Sequence, residues 1–291
     1  MATLGFVGLG AMGSRLADRL LAAGHDVYGT NRTQAKAARL IEHGLIWRDT
    51  PRQVAEAAEI VFSMVTDDAA LAAITSGDDG ILAGLSPETL YVDMSTVSPQ
   101  ASKDLAARVA ELGAAMLDAP VSGSVPAAEE GTLTIMVGGP EEPFASVEPI
   151  LHALGTTVTR IGGNGSALLM KLAVNISLAE QMLAFSEGIL LAEQGGIDRK
   201  LAVKVLTESP LGSPMLKSRG PLLLDLPEQA WFDVALMRKD LGLALRAAST
   251  LDVPLPSASV ANELYTAADA MGYEDQDIAV VYEVLAEMAG Q

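Results

Sequence analysis

Lys171 stands inside LLMKLAVN (residues 168–175), an otherwise apolar run, and Asn175 follows it four residues later. On a helix this i, i+4 spacing puts both side chains on one face. A charged lysine is costly among apolar neighbours, and desolvation eases the loss of its proton. Taken alone, the octapeptide better fits a lysine that lays its stem on an apolar face and keeps its ammonium wet.

A second constellation is GFVGLGAMGSRLADRL, in which Gly8, Gly10 and Gly13 keep the GxGxxG spacing with Leu9, Ala11 and Met12 between them. It follows a β-rich run and opens an amphipathic one, the context in which this spacing binds a dinucleotide. Gly8 permits a tight turn, Gly10 lets backbone approach a pyrophosphate, and Gly13 lets helix pack on strand. The helix N-terminus adds N–H donors and the positive end of its dipole. About twenty residues further on, an NAD-preferring site carries an acid for the ribose 2′-OH. Here the sequence reads YGTNRT, so Asn31 replaces the acid and Arg32 and Thr33 follow it. Loss of a carboxylate and gain of a guanidinium favour a 2′-phosphate, hence NADP(H) over NAD(H). The other reading of Arg32 is stacking on adenine, or pointing to water, in an NAD enzyme.

The elements that must position these residues differ between the two parts of the chain. From Thr3 to about Gly162 the β-rich runs TLGFVG, DVYGT, EIVFSMV, TLYVDMS, AAMLDAP, TLTIMVGG and TTVTRIG alternate with amphipathic stretches. Among these stretches are AMGSRLADRLLAAG, TQAKAARLIEHG and SPQASKDLAARVAELG. That alternation predicts βαβ units and a mainly parallel sheet. After GGNG (162–165) the pattern becomes helical throughout. Ser166 to Gln194 reads as one helix, stopped by Gly195 and Gly196, and Asp198 reads as the N-cap of the next. The expected architecture is a Rossmann-type α/β N-terminal domain (1–162), then an all-α C-terminal domain (163–291) entered through a long central helix. That helix is apolar on all faces, which implies burial against a second subunit and hence a homodimer or homotetramer.

Bulk properties exclude several functions. The 291 residues are 49% hydrophobic and 19% charged, enough for two cored domains. A net charge of −18 opposes a nucleic-acid partner. The absence of cysteine excludes disulfides and thiolate chemistry and agrees with a reducing cytosol, so a cytoplasmic location is expected. His25, His43 and His152 are scattered without metal-like spacing, so no metal is expected. The N-terminus MATLGFVGLGAMG has no basic leader and reads as no signal peptide. No unbroken apolar run approaches about 18 residues, so no bilayer-spanning segment is expected.

Three further stretches complete the set: DAPVSGSVPAAEEGTLTIMVGG (118–139), the lysine helix, and WFDVALMRKDLGLAL from residue 231. With GFVGLGAMG they resemble the β-hydroxyacid dehydrogenase family across essentially the whole chain. That family includes 3-hydroxyisobutyrate dehydrogenase, tartronate semialdehyde reductase and the glyoxylate/succinic semialdehyde reductases. NRT, SPM and GYEDQDIA look closest to the last of these branches. The resemblance implies NADP(H)-dependent interconversion of a short hydroxy acid and its semialdehyde or keto acid. It implies Lys171 as catalytic acid/base with Asn175 beside it, and Ser122 and Gly123 of PVSG as holders of the substrate carboxylate. Thr96 of DMST is implied near the nicotinamide, Phe232 and Asp240 at the substrate, and Lys239 at the cofactor. The glycine turn, Met64 and Val65 complete the implied cofactor contacts. Two departures sit near the substrate: Ile176 follows Asn175 where many relatives repeat asparagine, and Ser124 and Val125 replace a frequent double glycine. Two alternatives share the fold: an imine reductase, which typically carries Asp or Tyr at the lysine position, and a non-catalytic NADP-binding scaffold. A 6-phosphogluconate dehydrogenase is disfavoured because its helical part is much longer.

Overall fold

The computed structural model describes residues 2–290. Among them, nine strands form one sheet: β1 Thr3–Val7, β2 Asp26–Thr30, β3 Ile46–Trp47, β4 Ile60–Ser63, β5 Leu90–Asp93, β6 Ala115–Asp118, β7 Val121–Ser122, β8 Thr134–Gly138 and β9 Thr157–Gly162. The first six lie in the order β3-β2-β1-β4-β5-β6, all parallel. This is the doubly wound order whose ligands collect beyond the strands' carboxyl ends, near the reversal between β1 and β4. β8 runs antiparallel to β6 and to β7, and β9 is parallel to β8. Asp118 of β6 pairs with Gly138, and Val121 and Ser122 of β7 pair with Ile135 and Thr134, so β7 continues β6 along one edge of β8.

Successive residues of the inner strands point to opposite faces, as pleating requires. Phe6, Phe62, Val92 and Leu117 enter one buried cluster, while Val7, Val61, Tyr91 and Met116 enter another. Two covered faces explain why these strands read as continuous apolar runs rather than as alternating ones.

All seven expected strands form. β3 and β7 were not expected; each has only two residues and leaves no periodic signal. TQAKAARLIEHG forms a 3-10 turn, Gln34–Ala37, and a short helix, Ala38–Glu42. The change of pattern at Gly162 marks the end of the sheet. Packing divides the chain slightly later, between Lys171 and Leu172, within the helix Ser166–Gln194.

That helix has 29 residues, about 44 Å at 1.5 Å per residue. Gly196 (φ +84°) follows it in the left-handed region, and Asp198 caps helix Arg199–Glu208 by accepting the Leu201 N–H at 3.0 Å. Ala179, Met182, Phe185 and Ile189 of the long helix share a buried cluster with Met237, Leu241, Tyr265 and Tyr282. Helices Pro214–Arg219, Val234–Thr250, Pro256–Ala270 and Val281–Met288 complete this second unit, where an isolated bridge joins Asp233 and Asp277. By length and composition the long helix is apolar enough to cross a membrane, although it holds no unbroken apolar run of that length. Lys171, Asn175 and Glu180 interrupt the run without making the segment polar on average, and its buried positions serve the core.

Candidate active site

The turn from β1 into helix Ala11–Ala22 carries its glycines for steric reasons. Gly8 has φ +95°, and a Cβ there would lie 2.3 Å from the Met64 carbonyl oxygen. A Cβ on Gly13 would lie 2.0 Å from the Gly8 carbonyl oxygen and 3.0 Å from the Phe6 ring. Gly10 differs: nothing lies within 4 Å of its Cβ position, so that backbone is open to an approaching group. The helix has no acidic residue in its first turn, where the leading N–H groups lack intrahelical partners. An anion there meets donors and the positive dipole end. These features fit a dinucleotide pyrophosphate.

Asn31, just beyond β2, is more than a missing acid. Its Oδ1 accepts the Leu9 N–H at 3.1 Å, and its Nδ2 donates to the Thr33 carbonyl at 3.1 Å. The carboxamide therefore braces the glycine turn against the segment that carries Arg32 and Thr33, both exposed.

The next two strands end side by side. Met64 donates its N–H to the Val7 carbonyl at 3.0 Å, and Met94 donates to Ser63 at 2.8 Å. Val65 donates its N–H to Ser95 Oγ at 2.9 Å. Ser95 Oγ in turn donates to Asp93 Oδ1 at 2.6 Å, and Ser63 Oγ donates to the same oxygen at 2.7 Å. Ser63 and Tyr91 OH are 2.7 Å apart, and Tyr91 is the donor because the serine proton is committed to Asp93. Asp93 is fully buried, and burial pushes its carboxyl up to about 6 against the opposing hydrogen bonds from Ser95 and Ser63. Thr96, half-buried, follows this network directly.

Asp118, at the end of β6, is also buried. Its Oδ1 accepts the Gly165 N–H at 2.8 Å. Asn164 donates to the Met116 carbonyl at 2.9 Å. The start of the lysine helix is thereby held by the strand whose continuation carries Ser122 and Gly123. Burial raises the Asp118 carboxyl, and the backbone N–H groups oppose that rise. Gly123 (φ +138°) and Ser124 (φ +58°) turn the chain into helix Ser124–Glu130. Ser124 thus occupies the left-handed region without being glycine. Lys171 is half-buried, between exposed Met170 and buried Leu172.

In the second unit Asn175 and Asp240 are both 1% exposed, and Asn175 Nδ2 donates to Asp240 Oδ2 at 2.5 Å. Lys239 Nζ lies 2.9 Å from Asp240 Oδ1. An open groove of about 400 Å³ runs past Lys239, Arg238 and Asn262. Phe232 donates its N–H to Asp277 Oδ2 at 3.2 Å, beside Trp231 at 3.0 Å. Arg219 holds both oxygens of Asp277 at 2.7 and 2.8 Å. This buried pair fixes the approach to helix Val234–Thr250, which Asp233 caps through the Leu236 N–H at 2.7 Å.

The glycine turn, Met64, Val65, Thr96, Ser122, Gly123 and Lys171 belong to the first unit, and Asn175, Phe232, Lys239 and Asp240 to the second. Sequence reasoning missed Asp93, Asp118, Arg219 and Asp277. The first two had a signal: an acid at the end of an apolar strand, in LYVD and AMLD. Among the described residues no group of three or more His, Cys, Asp or Glu is placed to hold a metal ion.

Comparison with known proteins covers both parts of the chain. Residues 3–163 match the model for the NAD binding domain of 6-phosphogluconate dehydrogenase. Residues 163–285 match that for the NAD-binding of NADP-dependent 3-hydroxyisobutyrate dehydrogenase. The 2-hydroxy-3-oxopropionate reductase of Escherichia coli is 38% identical, over 98% of each chain. Glyoxylate/succinic semialdehyde reductase 2, chloroplastic, of Arabidopsis thaliana is 34% identical over 97% of this chain and 79% of its own. The solved structure of Mycobacterium tuberculosis 3-hydroxyisobutyrate dehydrogenase with L-serine aligns with a TM-score of 0.87 at 29% identity, covering 98% of this chain and 99% of that one. With a dinucleotide turn of the right build at one end and relatives matched along the whole length, the chain belongs to the β-hydroxyacid dehydrogenase family of NAD(P)-dependent oxidoreductases.

Proposed function

We propose that the chain is an NADP(H)-dependent reductase that interconverts a short 3-hydroxy or ω-hydroxy acid with its semialdehyde or keto acid. The observation that carries this reading is the anchoring of the Lys171 helix by Asp118, on the strand that continues to Ser122 and Gly123. A proton-transfer group and a small polar loop are thereby built from one sheet edge. When bound, the reduced dinucleotide supplies the hydride for the carbonyl carbon. Ser122 Oγ and the Gly123 backbone receive the substrate carboxylate. Lys171 Nζ delivers a proton to the oxygen that gains charge, and in the reverse direction it removes the hydroxyl proton. Orientation of the acid and positive charge beside the developing oxyanion both lower the barrier. Asn175, one helical turn beyond Lys171, is kept in place by Asp240, which Lys239 also engages.

The preference for NADP(H) is supported by exposed Arg32 beside a position without an acid, and by the NADP-dependent enzyme for which the second matching family model is named. The substrate class is supported by the names of the relatives, which act on short carbonyl acids. The same reading includes self-association, supported by the exposure of Leu191 and Leu201, 77% and 53%, in the helical unit.

The deciding experiment is NADPH oxidation with glyoxylate, succinic semialdehyde, methylmalonate semialdehyde and tartronate semialdehyde, with a cyclic imine alongside. Turnover of at least one carbonyl acid and none of the imine is expected. Turnover of the imine alone would make the chain an imine reductase, and tight NADPH binding without turnover would make it a scaffold.

A further inference from the structure

Asp93 takes no part in the chemistry above, yet it is 0% exposed and its Oδ2 has no hydrogen-bond partner among the described residues. A carboxylate kept there costs folding free energy. Its Oδ1, by contrast, gathers Ser63 Oγ, Ser95 Oγ and the Ser95 N–H at 2.7, 2.6 and 3.3 Å. Because the Ser95 proton is drawn to the carboxylate, the hydroxyl presents a lone pair to the Val65 N–H. Val65 follows β4, while Ser95 and Thr96 follow β5, its parallel neighbour. Beyond the last ladder pair, Ser63 with Asp93, the Ser95–Val65 bond carries the connection between the two segments forward.

We propose that Asp93 is a positioning residue for the dinucleotide: by orienting the Ser95 hydroxyl it holds Val65 and Thr96 as one edge beneath the cofactor. The proposal rests on the reading that these two segments contact the nucleotide. A mere core role for Asp93 predicts something different, and Ser63 separates the two. Ser63 gives Asp93 a hydrogen bond nearly as short as that from Ser95, but its hydroxyl bonds to Tyr91 and Asp93 rather than to either loop.

The test uses the full chain with Ser95→Ala, Ser63→Ala and Asp93→Ala, measuring NADPH and NADH affinity by fluorescence titration and stability by thermal unfolding. Both serine variants should lose Tm to a similar degree. Ser95→Ala and Asp93→Ala, which removes the acceptor that asparagine would keep, should weaken both nucleotides about three- to tenfold, the net value of one hydrogen bond, while Ser63→Ala changes affinity less than about twofold. Equal weakening by the two serine variants would overturn the proposal in favour of a core role, and so would unchanged affinity in Ser95→Ala. A wild-type chain that binds neither nucleotide would remove this proposal and the functional reading together; any other failure removes this proposal alone.

Discussion

Asp118 accepts the Gly165 N–H at 2.8 Å, so the strand that leads to Ser122 also holds the first turn of the helix that carries Lys171. A carboxylate at a helix N-terminus satisfies orphan N–H groups and complements the dipole. Here it comes from far away in sequence, and it fixes the helix end rather than merely capping it. Gly138, opposite on β8, leaves it room, since a Cβ there would lie 2.6 Å from Asp118 Oδ2.

Replacing Lys171 by alanine should lower kcat about 10²- to 10⁴-fold, the usual worth of a general acid, with NADPH affinity and folding nearly unchanged. Steady-state kinetics on whichever carbonyl acid is turned over checks this. A variant that keeps more than about half of wild-type kcat removes the lysine from proton transfer.

Ser122→Ala should act mainly on KM for carboxylate-bearing substrates, raising it about ten- to a hundredfold, because a hydrogen bond to a charged group is lost in ground and transition state alike. A fall in kcat at constant KM would instead assign Ser122 to the developing oxyanion.

Ser124 holds φ +58°, where a side chain costs about 1–2 kcal/mol. Glycine removes that strain and returns about 0.5–1 kcal/mol as unfolded-chain entropy, so Ser124→Gly should stabilise by roughly 0.5–1 kcal/mol. Urea midpoints at constant m-value decide it. A destabilised glycine variant would mean that the Ser124 hydroxyl contributes more than its backbone costs.

Asp93 gives a pH prediction with a definite sign. Its carboxyl is raised from 3.8 to about 6, so between these values the folded chain holds more protons than the unfolded one. The contribution therefore declines as pH rises through that window, by ~3 kcal/mol in all. Asp93→Asn should gain relative to wild type as pH goes from 4 to 7. A stability difference independent of pH would show that Asp93 does not titrate in the folded state.

Cofactor choice is tested by Asn31→Asp with Arg32→Ala. Aspartate keeps the acceptor for the Leu9 N–H and loses the donor to Thr33. NADPH binding should weaken about ten- to a hundredfold, the value of a charge-assisted contact, while NADH binding is kept or improved. A double mutant that still prefers NADPH leaves the NRT segment without a discriminating role.

The glycine turn was legible because sterics at Gly8 and Gly13 admit few other residues, and the long helix because Gly195 and Gly196 end it. β7 was not legible: two residues carry no period, and what makes Ser122 part of a strand is its partner Thr134 on β8. Asp93, Asp118 and Asp277 escaped for a related reason. Each is defined by donors distant in the chain (Ser63, Gly165 and Arg219), and spacing within one segment says nothing about those. The long helix adds that counting unbroken runs passes over a core helix whose average is apolar despite a few polar positions.

The brace formed by Asn31 also constrains how such a protein changes over generations. Position 31 answers to the glycine turn as well as to the proposed nucleotide contact, so substitutions there are filtered by backbone order before any shift of cofactor is felt. Aspartate passes that filter; lysine and glycine, which offer no side-chain acceptor, do not. Arg32 is exposed and takes part in no such brace among the described residues, so it is free to vary first. The passable order of substitutions between the two cofactors is therefore Arg32 before Asn31, and lineages caught midway should differ at the former while keeping Asn or Asp at the latter.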